Sequence, residues 1–414
     1  MFSGFLIYNP QENFLQKGMF FMSVQLELFN RANGDVISLE SVFQAYFACR
    51  KNKRRTKSAL RFEMNLEENL IALWRDLNNG TYQISRSNAF IVTRPVIREI
   101  FAADFRDRIV HHLVIERLLP LLEASFYPNS YSCRKGKGTL YGIRSIYRQL
   151  KECSKGFTQE CFVLRLDIRA FFLNINHAKL VERLDRLIVE NYHGSDKRIL
   201  RHLVKQIVFH RPQELCIKRG GSALWELLPR GKSLFYQRPG FGLPIGNLTS
   251  QLFANFYLNA FDNFVKQQRG MYYGRYVDDL VLIHRDKAFL KAFLTQVSHF
   301  LNNHDGLKLH PRKIILSHYA KGFSFIGAFI RPYRLYVGKR LKGCFLKVCT
   351  QIVLKKMPID RHCLSVLNSY LGFLRHYNSF RLRVKGWNIL VRGKIKGILT
   401  DFYVLKINSC TVSD

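Results

Sequence analysis

Two adjacent carboxylates, Asp278 and Asp279, stand between two apolar runs, and this arrangement constrains the fold more than any other feature of the chain. Residues 272–277 and 280–283 on either side are rich in tyrosine, valine, leucine and isoleucine, which predicts a strand, a tight turn and a second strand. Like charges at a hairpin tip repel each other, so something must compensate them. A divalent cation is one interpretation, because Mg²⁺ binds carboxylates together with substrate phosphates. A solvated Asp-Asp turn is the alternative.

The composition indicates a nucleic-acid partner. The 414 residues include 65 Lys and Arg against 30 Asp and Glu, a formal net charge of +35. Such a surplus predicts binding to a polyanion. Because 47% of the residues are hydrophobic and 14% are aromatic, the chain should be globular rather than a basic tail. Its length predicts two or three packed subdomains.

The cysteines and the apolar runs bear on the compartment. The nine cysteines form no Cys-x-x-Cys pair and no zinc-like spacing, which favours free thiols in a reducing cytosol. Residues 1–7 are apolar but short and without a basic start, so we expect no signal peptide, and Met19 or Met22 are alternative start sites. No run approaches the ~18 apolar residues of a membrane span. These features predict a cytoplasmic protein with no membrane partner.

A basic run at residues 50–57 carries six positive charges in eight positions. It ends an N-terminal extension that we place at residues 1–60. A solvated face is one interpretation, and an arm that contacts phosphates is the other, favoured by the overall charge. The predicted nucleic-acid-binding residues of this arm are Arg50, Lys51, Lys53, Arg54, Arg55 and Lys57.

The rest of the chain divides into two regions. Residues 61–330 begin with a helix whose leucines share one face up to Gly80, and continue with short apolar strands and amphipathic helices, as in an α+β fold. In residues 331–414 leucines step by three and four positions among many Arg and Lys residues, which predicts a small helical domain with a basic face.

A second candidate carboxylate, Asp167, follows the apolar strand predicted at residues 162–166. By itself it would be read as a helix N-cap or turn residue. Phe171 and Phe172 follow it closely, and residues 242–251 precede the Asp-Asp hairpin by a helix-sized gap. These elements in this order resemble the palm motifs of reverse transcriptases. The resemblance implies a right-hand polymerase with fingers and palm in residues 61–330, an antiparallel palm sheet with helices, and a helical thumb in residues 331–414.

The resemblance also assigns site residues. It places the metal ligands at Asp167, Ile168, Asp278 and Asp279, and it adds Lys313 to the catalytic carboxylates as the residue that protonates the leaving pyrophosphate. It places nucleotide-binding residues at Arg98, Arg94, Ile168, Phe172, Ile245, Gly246 and Gln251. Phe172 would lie under the sugar of the incoming nucleotide and exclude a 2′-hydroxyl, which predicts dNTP substrates. Packing of Phe171 and Phe172 in the core is the alternative.

The implied reaction is two-metal nucleotidyl transfer. Two Mg²⁺ ions, with Mn²⁺ as a substitute in vitro, would be held by Asp167 and Asp278, and direct coordination by Asp279 is left open. One ion would lower the pKa of the primer 3′-hydroxyl, and the other, with Arg98, would neutralise the triphosphate. Template RNA, the cDNA product and dNTPs are the implied partners.

Two positions suggest a subfamily. Ile245 stands where most reverse transcriptases have Gln, and Gln251 stands where they have Pro, which is similar to the enzymes of diversity-generating retroelements. These enzymes copy RNA into cDNA with errors opposite adenine, diversify a target gene, and work with a small basic oligomeric accessory protein. Losing one hydrogen bond from Gln costs about 0.5–1.5 kcal/mol, roughly two- to tenfold in discrimination per step.

Other interpretations stay open at this point. Ile245 could reflect lineage alone, with selectivity residing elsewhere. For a protein that is prokaryotic or phage-encoded, as the resemblance implies, a retron or abortive-infection reverse transcriptase is the main alternative. The neighbouring DNA would distinguish it: a template repeat beside a variable gene, or a structured noncoding RNA without one. An RNA-binding scaffold that keeps the fold without catalysis is a further alternative, which the presence of all three acids disfavours.

Overall fold

The computed structural model describes residues 36–51, 55–94, 96–354, 360–393, 397–400 and 404–407. These residues form two compact units, each built from separate stretches of the chain. The first unit comprises the described residues up to 127 together with 169–263 and 299–308. The second unit comprises residues 128–168, 264–298 and the described residues from 309 onward. Cys410 and the candidate start sites Met1, Met19 and Met22 lie outside the described residues.

The helices and strands alternate along the chain, as predicted. The α-helices are α1 Leu39–Arg50, α2 Lys57–Glu63, α3 Leu66–Asn79, α4 Phe105–Ser125, α5 Thr139–Cys153, α6 Phe171–Asn174, α7 His177–Asn191, α8 Lys197–Phe209, α9 Ser222–Glu226, α10 Leu248–Tyr257, α11 Asn259–Lys266, α12 Lys287–Phe300, α13 Lys339–Val353, α14 Arg361–Leu374 and α15 Phe380–Arg392. The β-strands are β1 Ser87–Val92, β2 Arg98–Ala102, β3 Phe162–Asp167, β4 Cys216–Lys218, β5 Tyr272–Tyr276, β6 Asp279–His284, β7 Ile315–His318, β8 Phe323–Phe325, β9 Ala328–Arg331, β10 Arg334–Val337, β11 Gly397–Thr400 and β12 Val404–Ile407.

The first unit combines helices with a three-stranded sheet in the order β2-β1-β4. Helix α3 buries Leu70, Leu73 and Leu77 and ends at Gly80, whose φ of 72° is the left-handed conformation that glycine adopts without strain. Helix α4 is buried along much of its length and packs against α1 and α10. The leucine face and the glycine stop that the sequence predicts for α3 are therefore present.

The second unit is built around a four-stranded antiparallel sheet in the order β5-β6-β3-β7. Helix α5 and the β8–β9 hairpin cover one side of it, where Val163, Val281 and Ile283 join a buried cluster with Ile143 and Ile146. Gly274 in β5 permits this packing, since a Cβ there would lie 2.7 Å from Ile146. The sheet is thus fixed against α5 by close apolar contact.

The C-terminal part of the second unit holds three helices. Helices α13, α14 and α15 share an apolar core that includes Phe345, Leu367, Leu371, Leu374 and Leu390. Two hairpins accompany these helices. Strand β9 pairs with β10, so this hairpin spans the boundary predicted at residue 330, and β11 pairs with β12. The helical prediction for residues 331–414 thus omitted three short strands, because leucine periodicity reports helices and carries no signal for four-residue strands.

The α+β class predicted from the sequence is confirmed by this alternation of helices and sheets. The domain boundaries at residues 60 and 330 stay predictions, while the two compact units divide the chain at other positions. Across the described ranges, no helix combines the length and the hydropathy that a membrane crossing requires.

Candidate active site

The predicted Asp-Asp hairpin is formed by β5 and β6. These strands are antiparallel and pair Tyr276 with Asp279, which leaves Val277 and Asp278 as the two-residue turn. Asp278 therefore lies in the turn, whereas Asp279 is the first residue of β6. The two carboxylates occupy different backbone environments, although they are adjacent in sequence.

Asp167 is brought to this hairpin by the central strand of the sheet. It is the last residue of β3 and lies directly opposite Asp279 in the β3–β6 register. The Ile168 amide also donates to the Asp278 carbonyl over 3.3 Å. Residues opposite each other on neighbouring antiparallel strands have Cβ atoms about 4.5–5.5 Å apart. Strand pairing thus gathers carboxylates that are far apart in sequence.

Lys313 reaches the same carboxylate cluster from the following segment. It ends a short 3₁₀ turn, Pro311–Lys313, which precedes β7. The His310 amide donates to the Asp167 carbonyl over 2.8 Å, and Lys313 Nζ lies 2.5 Å from Asp167 Oδ2. The Asp167 side chain is 11% exposed and the Lys313 side chain is 55% exposed. The lysine is therefore positioned to hold the carboxylate while remaining accessible to substrate.

The hairpin turn is strained and braced. Val277 has a φ of 57°, which is unusual for a β-branched residue. The Val277 amide donates to Ser132 Oγ over 3.3 Å, and Arg275 Nη1 donates to the Val277 carbonyl over 3.3 Å. Arg275 is fully buried. These contacts hold a conformation that the turn would not favour by itself, and so they fix Asp278.

Arg165 adds a cation beside the carboxylates. It lies two residues before Asp167 on β3, so both side chains leave the same face of the sheet. Its Nη1 donates to the Ser324 carbonyl of β8 over 2.9 Å, while its Nε is buried without a hydrogen-bond partner. Burial lowers the pKa of Arg165, and Asp279 opposes that effect. Arg165 therefore links the carboxylate cluster to the β8–β9 hairpin.

The pKa of Asp279 reflects both desolvation and neighbouring negative charge. Its pKa is raised to about 6, mainly because neighbouring protein atoms desolvate the carboxylate, although the residue stays accessible to solvent. The Asp278 and Asp167 carboxylates contribute to the increase. Lys313 and Arg165 act in the opposite direction but do not cancel it. A cation bound here would relieve this repulsion.

The first unit gathers the candidate nucleotide-binding segments by backbone hydrogen bonds. The Leu243 amide donates to the Phe172 carbonyl over 2.8 Å, and the Phe101 amide of β2 donates to the Ile245 carbonyl over 2.8 Å. Gly246 has a φ of 132°, and a Cβ there would lie 2.6 Å from the Phe101 carbonyl oxygen. Only glycine permits this approach, so the structure explains the glycine after Ile245.

The candidate side chains in the first unit differ in exposure. Phe171 is buried, and Phe172 is half-buried against it with ring centroids 5.6 Å apart. Arg94 and Arg98 are both exposed at the same end of the β1–β2 hairpin. Gln251 is exposed in the first turn of α10. Phe172 rather than Phe171 is therefore the phenylalanine that retains accessible surface.

The basic arm is only partly available for phosphate contacts. Arg50 ends α1, and its Nε lies 2.7 Å from Glu63 Oε1. The described residues Lys51, Arg55 and Lys57 are exposed. The predicted contacts Lys53 and Arg54 lie outside the described residues.

Comparison with known proteins places the chain in a family. The family described as "Reverse transcriptase (RNA-dependent DNA polymerase)" matches residues 95–330, more than half of the chain. The chain belongs to the reverse transcriptase family. This membership confirms the predicted polymerase fold and the class of RNA-directed DNA polymerases.

Individual relatives of this reverse transcriptase are distant. Protein YkfC of Escherichia coli (strain K12) is 24% identical over 314 residues, which cover 67% of this chain and 73% of that protein. Apo telomerase from Candida tropicalis, truncated from its C-terminal domain, has a TM-score of 0.45 at 15% identity and covers 60% of this chain and 55% of its own. Telomerase from Candida albicans, in complex with a telomeric RNA fragment, has a TM-score of 0.45 at 12% identity. This match covers 75% of the present chain and 55% of the telomerase chain. The chain spans about half the length of these telomerases.

The carboxylates fit the metal ions that the resemblance to reverse transcriptases implies. Carboxylate oxygens are the ligands that Mg²⁺ prefers. The pKa of Asp279 is raised mainly by desolvation, and a divalent ion would offset the further contribution from the Asp278 and Asp167 carboxylates. Ile168 is buried and apolar, so only its main-chain carbonyl could be a ligand. In the part of the chain that the structure describes, no group of three or more His, Cys, Asp and Glu side chains forms a ready-made metal site. Substrate phosphates would have to complete the coordination.

Three residues that support the site were missed in the sequence. Arg165 interrupts the apolar run before Asp167, and an arginine two positions before a strand-end aspartate is the signal that the sequence offers. Ser132 lies in residues 130–136, which resemble a fingers motif of prokaryotic reverse transcriptases, but the contacts of Arg275 and Ser132 with the turn depend on the approach of residues 129–132 to β5. The fold reveals them because both contact the hairpin turn of the reverse transcriptase.

Proposed function

We propose that this reverse transcriptase copies a template RNA into cDNA by two-metal nucleotidyl transfer and does so with low fidelity, as the enzymes of diversity-generating retroelements do. The observation that carries the polymerase assignment is the pairing of Asp167 with Asp279 beside Asp278 and Lys313. Bound Mg²⁺ would supply charge neutralisation for attack of the primer 3′-hydroxyl on the α-phosphate.

The protein's own residues would hold and orient the reactants. Asp167, Asp278 and Asp279 would bind the metal ions, and the braced turn at Val277 would keep Asp278 in place. Lys313, accessible beside Asp167, would donate the proton that the leaving pyrophosphate needs. Arg98, exposed at the start of β2, would bind the triphosphate.

Low fidelity would follow from the surroundings of Ile245. Its main-chain carbonyl accepts from Phe101, which fixes the backbone, while its side chain is half-buried and apolar. An apolar contact cannot hold the sugar of the nascent pair through a hydrogen bond as a Gln amide can. The loss corresponds to roughly a two- to tenfold weaker selection at each step.

The decisive test is primer extension on an RNA template with Mg²⁺ and dNTPs, followed by sequencing of the product. We expect cDNA with frequent misincorporation opposite adenine from the wild type and no cDNA from Asp278→Asn, which should still bind RNA. Synthesis by Asp278→Asn would overturn the active-site assignment. Accurate wild-type product would favour the retron or abortive-infection alternative.

A matched pair of variants isolates the fidelity argument. Ile245→Gln restores an amide and should lower the error frequency opposite adenine, whereas Ile245→Leu preserves the apolar contact and should leave it unchanged. Equal error frequencies in the two variants would show that selectivity resides elsewhere. Co-purification with the small basic accessory protein expected for this subfamily should stimulate extension by the wild type.

A further inference from the structure

The segment between α9 and α10 presents exposed basic and aromatic side chains in the first unit. Residues 227–247 contain three basic residues and no acidic residue. Arg230, Lys232 and Arg238 are exposed, and Tyr236 is 62% exposed, which is unusual for a large aromatic side chain. The nucleotidyl-transfer reaction proposed above makes no use of these side chains.

A buried carboxylate fixes this segment. Glu99 of β2 is 4% exposed and accepts hydrogen bonds from Ser233 Oγ, over 2.8 Å, and from the Leu234 amide. Phe235 packs its ring against Phe101 of the same strand, with centroids 5.6 Å apart. Two short 3₁₀ turns, Arg230–Lys232 and Leu234–Tyr236, flank this anchor. The exposed side chains are therefore displayed from a pre-organised backbone.

The arrangement of Arg230 and Tyr236 is suited to an unpaired base. The Arg230 guanidinium lies over the Tyr236 ring at 5.2 Å from its centroid. A guanidinium on an aromatic ring polarises that ring and places a positive charge within reach of a phosphate. Nucleotides in single strands can stack on exposed aromatic rings, whereas bases inside a duplex cannot. The positive charge therefore favours a polyanion, and the exposed Tyr236 ring favours a single strand over a duplex.

We propose that Tyr236, together with Arg230 and Lys232, forms a platform for single-stranded template RNA, an inference that rests on the polymerase function proposed above. One base stacks on Tyr236, and the two cations contact neighbouring phosphates. Arg98 and Glu99 are adjacent in β2, so their side chains leave opposite faces of the strand. The same strand therefore carries a candidate triphosphate ligand and the anchor of the platform.

The binding test uses the full chain and a short, unstructured, fluorescein-labelled RNA, with the same sequence as a duplex for comparison. Tyr236→Ala should weaken single-strand binding about tenfold, within the range measured for loss of one stacked base. Tyr236→Phe should bind as the wild type does, and duplex binding should be unchanged in both. Arg230→Ala and Lys232→Ala should each lower the dependence of log affinity on log salt by about 0.7.

A matched control separates local contacts from total charge. Arg75 on α3 is exposed and removed from this segment in sequence, so Arg75→Ala subtracts the same charge and should leave the salt dependence unchanged. Equal effects of Arg75→Ala and Arg230→Ala would overturn the platform. Binding of Tyr236→Ala within twofold of the wild type would do the same.

Photocross-linking makes the result independent of catalysis. RNA carrying 5-iodouridine should cross-link to the peptide that contains Tyr236, and cross-links confined to other peptides would overturn the proposal. If Tyr236→Ala binds normally while extension remains sensitive to Asp278→Asn, the platform fails and the polymerase stands. If the wild type cross-links at Tyr236 but never extends a primer, the RNA platform is supported and the polymerase proposal fails.

Discussion

Lys313 Nζ lies 2.5 Å from Asp167 Oδ2, so the candidate proton donor is paired with a candidate metal ligand. The 3₁₀ turn Pro311–Lys313 fixes this pair. His310 directly precedes the turn, and its amide donates to the Asp167 carbonyl. A cation that binds Asp167 must therefore share or displace this lysine. The relationship connects metal binding to the position of the proton donor.

Replacing Lys313 with Gln should have two effects. The rate of primer extension should fall about a hundredfold, because general acids typically contribute 10²–10⁴. The Mg²⁺ concentration for half-maximal extension should also fall, because Asp167 loses a competing cation. Single-turnover extension across a Mg²⁺ titration measures both. Lys321→Gln, an exposed lysine in the same unit, is the control and should change neither.

Replacing Arg165 with Met should impair extension without touching a carboxylate. The change removes the hydrogen bond to the Ser324 carbonyl and the cation beside Asp279. Misplacement of reacting groups by about 1 Å can cost about a hundredfold, so we expect a rate at least tenfold lower. Extension at saturating primer–template measures this. Arg331→Met, at an exposed position of the adjacent hairpin, should retain activity, and similar rates for the two variants would refute the role of Arg165.

Replacing Val277 with Gly tests the strain in the hairpin turn. Glycine adopts a φ of 57° freely but has greater entropy in the unfolded chain. These effects oppose each other, so the free energy of unfolding should stay within about 1 kcal/mol of the wild type. Val281→Gly, in the buried middle of β6, should lose about 2–4 kcal/mol through cavity formation. Urea denaturation of both variants provides the comparison, and equal losses would argue against a strained turn.

Asp107 should make stability depend on pH. It is fully buried in α4, accepts from Tyr82 Oη and the Ser85 amide, and has a pKa raised to about 6 by desolvation. Because the folded pKa lies above the unfolded value of about 3.9, its contribution favours folding below pH 4 and is lost as pH rises to about 6. The loss should be about 3 kcal/mol.

Asp107→Asn removes the titrating group and can still accept from Tyr82. The free energy of unfolding of the wild type, relative to this variant, should fall between pH 4 and pH 6 in urea titrations. Burial lowers the pKa of His111 to about 3, which acts in the opposite direction but equally in both proteins. Parallel stability curves for wild type and variant would contradict the assignment.

Among the described residues of the basic arm, the exposed Lys51, Arg55 and Lys57 should contribute to RNA affinity. Removing Lys51, Arg55 and Lys57 together should lower the slope of log affinity against log salt by about 2, since each phosphate contact on a single strand contributes about 0.7. Arg50→Ala should leave this slope unchanged, because Arg50 is paired with Glu63. Fluorescence anisotropy at several salt concentrations distinguishes the two. A triple variant with the wild-type slope would make the arm a solvated face.

Local pattern determined several features of this protein correctly. The two apolar, β-prone runs around Asp278 and Asp279 predicted the β5–β6 hairpin, and the apolar run before Asp167 predicted β3. The spacing of leucines and the following Gly80 predicted α3 and its end. These features depend on interactions between neighbours in sequence, so a single chain reveals them. The order of the motifs was sufficient to predict the family.

Tertiary structure decided what the local pattern could not. The register that sets Asp167 opposite Asp279, the contact of Lys313 with Asp167 and the anchoring of Ser233 by Glu99 all join residues far apart in the chain. A one-residue change in the register of β3 against β6 would turn the Asp167 side chain to the other face without altering any local pattern. Long-range pairing and burial select among such registers, because only one of them satisfies the apolar core and the backbone hydrogen bonds together.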